Sequence, residues 1–271
     1  MKPLIVYSEE DSAGKNIAKQ LIANFNFREI QPGVWKAAVQ TDGKTDEILL
    51  AKVDGLHIYS EMKFALDYDY IIVASRHKSE SGTPSLTCHI PGNWGAADFG
   101  GKPKTLNTAY ASKLKTLLRE IKESAEKREI KWTVCLEVDH HGPTIDKPIL
   151  YAEVGSSEAQ WQDENACSAV ADAIMAAIKD ESAYECCLGI GGNHYAPAFT
   201  SLMLKDEKRA VGHILPKYKI DEIGFEMFEQ AIAKNVEPLS CVLLDWKGLT
   251  APQRGKAVSF CERAGVKWEK V

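Results

Sequence analysis

The sequence predicts an α/β fold of three layers, with helices on both sides of a central mixed, mostly parallel sheet. Two observations predict it. Short apolar runs alternate with segments of helical periodicity along the whole chain. Runs such as PLIVYS, DYIIVAS and LSCVLLDW also read as strands buried within a sheet. No internal repeat or linker-like tract breaks the alternation, so residues 1–271 are expected to form a single domain.

PLIVYS reads as the first buried strand, followed by a helix with Ile17, Leu21 and Ile22 on one face. VWKAAVQ, EILLAKV and LHIYS read as short strands, and DYIIVAS (69–75) as a central one. Residues 76–104 are rich in Gly, Pro, Ser, His and Asn, lack periodicity, and read as a long loop with a functional role. A helix over 107–128 follows, with Leu114, Leu117, Leu118 and Ile121 as its apolar stripe. Its lysines and arginines alternate with glutamates and read as a solvated face with i,i+4 pairs. KWTVCLEVD and PILYAEVG read as strands. Ser157 and Gln160 then form an S-x-x-Q capping box for one helix running to about Lys179. YECCLGI, AVGHILP and LSCVLLDW supply three more strands.

Composition limits the class. Apolar content of 45% and charged content of 26% are ordinary for a soluble globular protein. No apolar run approaches the roughly 20 residues of a spanning helix, and the start turns acidic too early for a signal peptide, so no membrane partner is expected. Seven cysteines without a CxxC pair, among them Cys88, Cys135, Cys186, Cys187 and Cys241 in strand-like runs, suit reduced thiols in the cytoplasm. A net charge of −5 speaks against a broad nucleic-acid surface, and no DNA partner is expected. The tail from Lys247 is the exception. Its six basic and two acidic side chains leave it at +4 and the rest of the chain at −9.

Six of the seven histidines fall in five clusters: SRH (75–77), TCH (87–89), DHHGPT (139–144), GNHY (192–195) and GHILPKY (212–218). All but the last touch the end of a predicted strand, where α/β sheets bind ligands. Strand alternation places Glu137 with Cys135 and Asp139 on one face, and Glu153 with Tyr151 on one face of the next strand. If these strands pair as a hairpin about Ile145, Glu137 and Glu153 oppose each other. A cation, a shared proton or a basic side chain must then lie between them, unless the strands pair otherwise or both carboxylates reach water.

Candidate metal ligands are His77, His89, His140, His141, His194 and His213 with Glu137, Asp139 and Glu153, in no recognised zinc spacing. GIGGNH has His194 where a dinucleotide fingerprint needs its third glycine, so the cofactor-loop reading fails. A plain tight turn, or a turn bringing His194 to a substrate, remains.

ASRH, SLTCHIPGNWG, EVDHHGPT, AEVGSSEAQW, GIGGNHYAP and VGHILPKY, in this order over residues 74–218, resemble the D-aminoacyl-tRNA deacylases of the archaeal and plant type. The resemblance implies hydrolysis of the ester between a D-amino acid and the tRNA 3′ end, a fold similar to peptidyl-tRNA hydrolase (phosphorylase/hydrolase-like), and one or two zinc ions per chain. Glu137, His140 and His194 are then the candidate catalytic residues. Arg76, His77, Thr87, His89, Asn93, Trp94, Gly191, Gly192, Lys217, Arg254 and Lys256 are the candidates for holding D-aminoacyl-tRNA. His140, His141, Glu153, His194 and His213 are those for metal. Glu137 or a zinc-bound water would supply the base, the Gly191 and Gly192 N–H groups an oxyanion site, and Trp94 a stacking face for the terminal adenine. A monomer is expected. The alternatives are a zinc-dependent peptidase or amidohydrolase acting on a small substrate, and a non-catalytic tRNA-binding protein.

Overall fold

The computed structural model describes residues 1–41, 44–80 and 82–271. β1 (Pro3–Ser8), buried at all six positions, leads into α1 (Ser12–Asn24), whose N-cap Asp11 accepts a hydrogen bond from Gly14 N. β2 (Arg28–Gln31), β3 (Val34–Thr41) and β4 (Lys44–Val53) meander antiparallel and bring β4 alongside β1 in parallel. A 3₁₀ turn at His57–Tyr59 precedes β5 (Tyr70–Lys78), which also runs parallel to β1. β6 (Ser85–His89), β7 (Gly92–Asn93) and β8 (Thr105–Leu106) are followed by α2 (Ala111–Lys127), β9 (Thr133–Leu136) and β10 (Ile149–Ser156). Next come α3 (Glu158–Trp161), α4 (Glu164–Lys179), β11 (Glu185–Ile190), α5 (Pro197–Lys205) and β12 (Arg209–Leu215). The chain ends with α6 (Phe225–Ala233), β13 (Leu239–Leu244), α7 (Ala251–Ala264) and β14 (Trp268–Lys270).

The larger sheet has the order β2-β3-β4-β1-β5-β10-β6-β9 and is mixed; the smaller, β12-β11-β13-β14, is all parallel. The chain just after β9 joins them. Ala196 N donates to Leu136 O, Val138 N to His194 O and Asp139 N to Ile214 O, at 2.9, 3.0 and 3.1 Å. Helices α1, α2 and α4, with Leu118 and Ile174 among their buried side chains, cover one face of the larger sheet over Ile5, Ile72 and Leu150. Its other face, with Leu4, Ile71, Val73 and Ile149, is covered by Met62, Phe64, Leu66 and Tyr68. In the smaller sheet, Leu188 and Val242 pack with α6 and α7, while Cys187 and Leu243 join the cluster beneath α2 and α5.

Five expectations need correction. The 137/153 hairpin does not form, because β6 lies between β9 and β10, parallel to the first and antiparallel to the second. β6 falls in the segment read as loop. Leu86 and Cys88 enter the core, but buried Ser85, Thr87 and His89 alternate with them and hide the apolar pattern. LHIYS is a 3₁₀ turn, with the His57 ring drawn onto Asp11. The helix from Ser157 ends after one turn, because Asp163 caps a second start by accepting from Ala166 N at 2.8 Å.

The fifth correction concerns α2, whose basic face is only partly solvated. Lys122 and Lys127 do pair with Glu126 and Glu123. Lys113 instead donates from the interior to Ala177 O and Ile178 O at the end of α4, and Lys115 to Asp206 O and Arg209 O after α5. These ammonium groups satisfy carbonyls at the ends of α4 and α5 and at the start of β12, in buried surroundings. All seven cysteines are free and buried. No helix among the described residues is long and apolar enough to cross a membrane.

Candidate active site

Where the two sheets meet, a cleft of about 690 Å³ opens over His77, His140, His141, Glu153 and His194. β5 delivers His77, β6 Thr87 and His89, and β10 Glu153. The chain after β9 brings Glu137, His140 and His141, and the turn after β11 brings His194 and Tyr195. Convergence therefore comes from the inter-sheet junction, since β6 and β9 run opposite to β5 and β10. A second depression of about 500 Å³, beside Trp94, Lys104 and Glu222, has no such cluster.

Glu137 is the centre. Its carboxylate is fully buried, with Oε1 3.0 Å from His77 Nδ1 and Oε2 3.0 Å from His194 Nε2 and 3.4 Å from His140 Nε2. Neither oxygen makes a well-aligned hydrogen bond, so several groups crowd it without any one claiming it. Burial alone would raise its pKa; His194 and His77 outweigh that and hold it well below the usual carboxylate range. Glu153 behaves oppositely. Burial, and then the charge of Glu137, raise it to about 7. The two acids do approach each other, across β6, and His77 Nδ1 sits between them, 3.7 Å from Glu153 Oε2. Burial opposes charge on His77, but the two carboxylates prevail and lift it to about 11. A basic side chain thus lies between the opposed carboxylates.

Three imidazoles of the cluster, His89, His140 and His141, are kept neutral. Burial pushes His89 and His141 well below the ordinary histidine value and His140 down to about 4. His140 Nδ1 bonds Val138 O at 2.8 Å and His141 Nδ1 bonds Gly142 O at 2.5 Å, which fixes both tautomers and leaves each Nε2 a lone pair. His89 Nε2 lies 3.1 Å from His141 Nε2, while His89 Nδ1 is buried without a partner. Neutral imidazoles with carbonyl-anchored Nδ1 atoms and convergent Nε2 atoms are the donor set a divalent metal takes. Among the described residues, His89/His140/His141, His77/Glu137/His194 and His89/Glu137/Glu153 each bring ligand atoms within 4.8 Å of one another.

Several candidates lie elsewhere. His213 bonds Asp139 Oδ2 at 2.6 Å and Lys234 O at 2.9 Å, so both ring nitrogens are engaged away from the cluster. Gly191 N donates to Leu215 O and is not free for an oxyanion. At φ 137°, a Cβ on Gly191 would lie 2.4 Å from Asp245 Cβ, so this glycine serves close packing. Trp94, 3% exposed, packs in the core of the smaller sheet and offers no face to a base. Asn93 holds the carbonyls of Gly100 and Lys102. Gly192, Lys217, Arg254 and Lys256 do not line the cleft. Gly192 O accepts from Lys217 N, the Arg254 guanidinium lies 4.8 Å over Trp246, and Lys256 Nζ donates to Asp221 O. Arg76 does line the cleft, its guanidinium 5.2 Å over Trp161. Thr87 Oγ1 donates to Glu153 Oε2 at 3.4 Å.

Sequence reasoning missed a second buried network behind the cluster. Asp11 Oδ2 accepts from His57 Nε2 at 2.9 Å and Arg76 N at 3.0 Å, and His57 Nδ1 meets Tyr151 OH at 3.2 Å. Tyr151 in turn stacks on His89, ring centroids 5.2 Å apart. Tyr195 OH, 2.9 Å from His77 Nε2, was also missed. His57 was the one histidine outside the clusters, and that isolation was its only signal.

Comparison with known proteins gives a consistent result. The family model for D-aminoacyl-tRNA deacylase matches residues 64–269. A D-aminoacyl-tRNA deacylase of Pyrococcus furiosus is 33% identical, covering 98% of this chain and 99% of its own. That of Thermococcus kodakarensis is 34% identical, covering 98% of each. A crystal structure of a conserved protein of unknown function superposes with TM-score 0.88 at 31% identity, over 99% of this chain and 95% of that one.

Proposed function

The chain belongs to the D-aminoacyl-tRNA deacylase family, and we propose that the cleft over Glu137 is where it cleaves its substrate. The protein hydrolyses the ester of D-aminoacyl-tRNA, releasing D-amino acid and tRNA, and so proofreads the chirality of aminoacylation. The observation that carries the placement is one pair of side chains. His194 is 44% exposed at the base of the cleft, and its Nε2 faces a carboxylate that no solvent reaches.

Glu137 therefore stands behind His194 instead of acting on water itself. In our mechanism His194 takes the proton of the attacking water, and ionised Glu137 stabilises the imidazolium that forms. Glu153, held near neutrality by burial and Glu137, is placed to exchange a proton within the cluster. His77, braced by Tyr195 and the two carboxylates, keeps the acids apart. His89, His140 and His141 would hold a zinc ion, which when bound would polarise the ester carbonyl or a water. Arg76 and Lys78 on the cleft wall are the cations nearest an incoming 3′ end. With buried thiols throughout, we place the protein in the cytoplasm.

The test is hydrolysis of matched D- and L-aminoacyl-tRNA by the purified protein, with and without prolonged chelation. The D-ester should be released and the L-ester spared, with activity lost on chelation and restored by zinc. Equal turnover of both isomers would sink the chiral reading, and full activity in a metal-free preparation would sink the zinc.

A further inference from the structure

We propose that Tyr59 and Phe99 form a stacking subsite for the terminal adenosine of the substrate at the mouth of the cleft, an inference that rests on the functional reading above. Most large apolar side chains of this protein are buried, yet Tyr59 is 60% and Phe99 65% exposed, and both line the one cleft that holds the histidine cluster. Ile30, Tyr218 and Met1, the other strongly exposed ones among the described residues, do not line it.

The two rings belong to different segments held firmly together. Gly100, at φ 82°, lies so close that a Cβ there would come within 2.1 Å of Ile58 O and 3.1 Å of the Tyr59 ring. Gly142 N donates to Phe99 O at 3.0 Å, which ties the same rim to the chain that carries His141. Asn93 holds Gly100 O at 2.8 Å, and Thr144 Oγ1 accepts from Lys102 N at 2.9 Å. The aromatic rim is thus fixed relative to the reacting groups.

An ester at His194 has two sides, an aminoacyl group and a ribose bearing a base. An exposed aromatic pair on a fixed rim suits the base, because stacking needs a flat face and little else. The backbone phosphate that follows the terminal nucleoside would find Arg76 and Lys78 on the same cleft. Trp94, buried in the smaller sheet's core, cannot serve this purpose.

The test compares two esters of one D-amino acid, the 3′-O-aminoacyl adenosine and the methyl ester, in wild type and in Tyr59→Ala/Phe99→Ala. The quantity read is the ratio of kcat/KM for the adenosine ester to that for the methyl ester. We expect it to fall by about tenfold or more in the variant, mainly through KM, and to recover in Tyr59→Trp. An unchanged ratio overturns the proposal, including when both esters slow equally because the rim has merely been disturbed. A binding experiment separates this from the hydrolytic reading, using the non-hydrolysable amide of 3′-amino-3′-deoxyadenosine. Weaker binding by the variant supports the subsite even if wild type cleaves no ester, and equal binding overturns it even if cleavage is brisk.

Discussion

Replacing Glu137 by Gln tests the mechanism at its centre, because it removes one charge while keeping the shape. The carboxylate oxygen lies 3.0 Å from His194 Nε2, so the centres of charge in the imidazolium–carboxylate pair are roughly 4 Å apart. At an effective dielectric of about 20, that attraction is about 4 kcal/mol. Loss of it from the transition state slows the chemical step by about 10³-fold. Glu153→Gln should behave differently. With its carboxyl raised to about 7, Glu153 spends much of its time neutral at physiological pH, and an amide imitates that form. We predict a loss below about tenfold. The assay is single-turnover release of D-amino acid from D-aminoacyl-tRNA, with zinc content and melting temperature measured on each variant. If Glu137→Gln stays within tenfold of wild type, or Glu153→Gln is equally damaging, the assignment of the two acids is wrong. Loss of zinc from Glu137→Gln would instead make Glu137 a ligand.

Three further predictions concern the supporting structure. His89→Ala should lose zinc, whereas His213→Ala should keep it yet lose about 3–5 kcal/mol of stability, because Asp139 is left buried without its partner; zinc analysis alongside denaturant titration separates the two. Lys115→Met strands the carbonyls of Asp206 and Arg209 and should cost about 2–4 kcal/mol, lowering Tm by about 4–8 °C, while Lys122→Met on the exposed face shifts it by about 1 °C or less; equal shifts would contradict the buried role. Burial opposes ionisation of Asp206, but the N–H groups of Lys208 and Arg209 and the Arg209 guanidinium prevail and lower its pKa to about 2. Its stabilisation is therefore complete above the ordinary value of 3.8 and is lost as pH falls through 2. Asp206→Asn should thus melt below wild type at pH 7, and the gap should close between about pH 4 and pH 2.

The strands most legible in the sequence were those whose residues serve only packing. PLIVYS and LSCVLLDW show their burial in composition, and the stripe of Leu114, Leu117, Leu118 and Ile121 shows one face of α2. β6 was hidden because Thr87 and His89 are interior and polar, so the strand nearest the chemistry looked like loop. Lys113 and Lys115 were hidden for a related reason: a lysine that caps a buried carbonyl reads in sequence as one facing water.

The Glu137–Glu153 encounter was anticipated, yet through a hairpin that does not exist. Period-2 alternation fixes which face a side chain takes but not which strand lies beside it, and here the inserted neighbour supplies Thr87 and His89 to the same site. His194 was found because it displaced a glycine from a familiar pattern. The glycines beside it pointed the wrong way, since Gly191 answers to Asp245 and not to a ligand. Where function places polar groups inside, the binary pattern fails, so the failures themselves outline the site. His57 fits that rule. It is buried on Asp11, one residue from Ile58 and two from exposed Tyr59, in a segment that periodicity assigned to a strand.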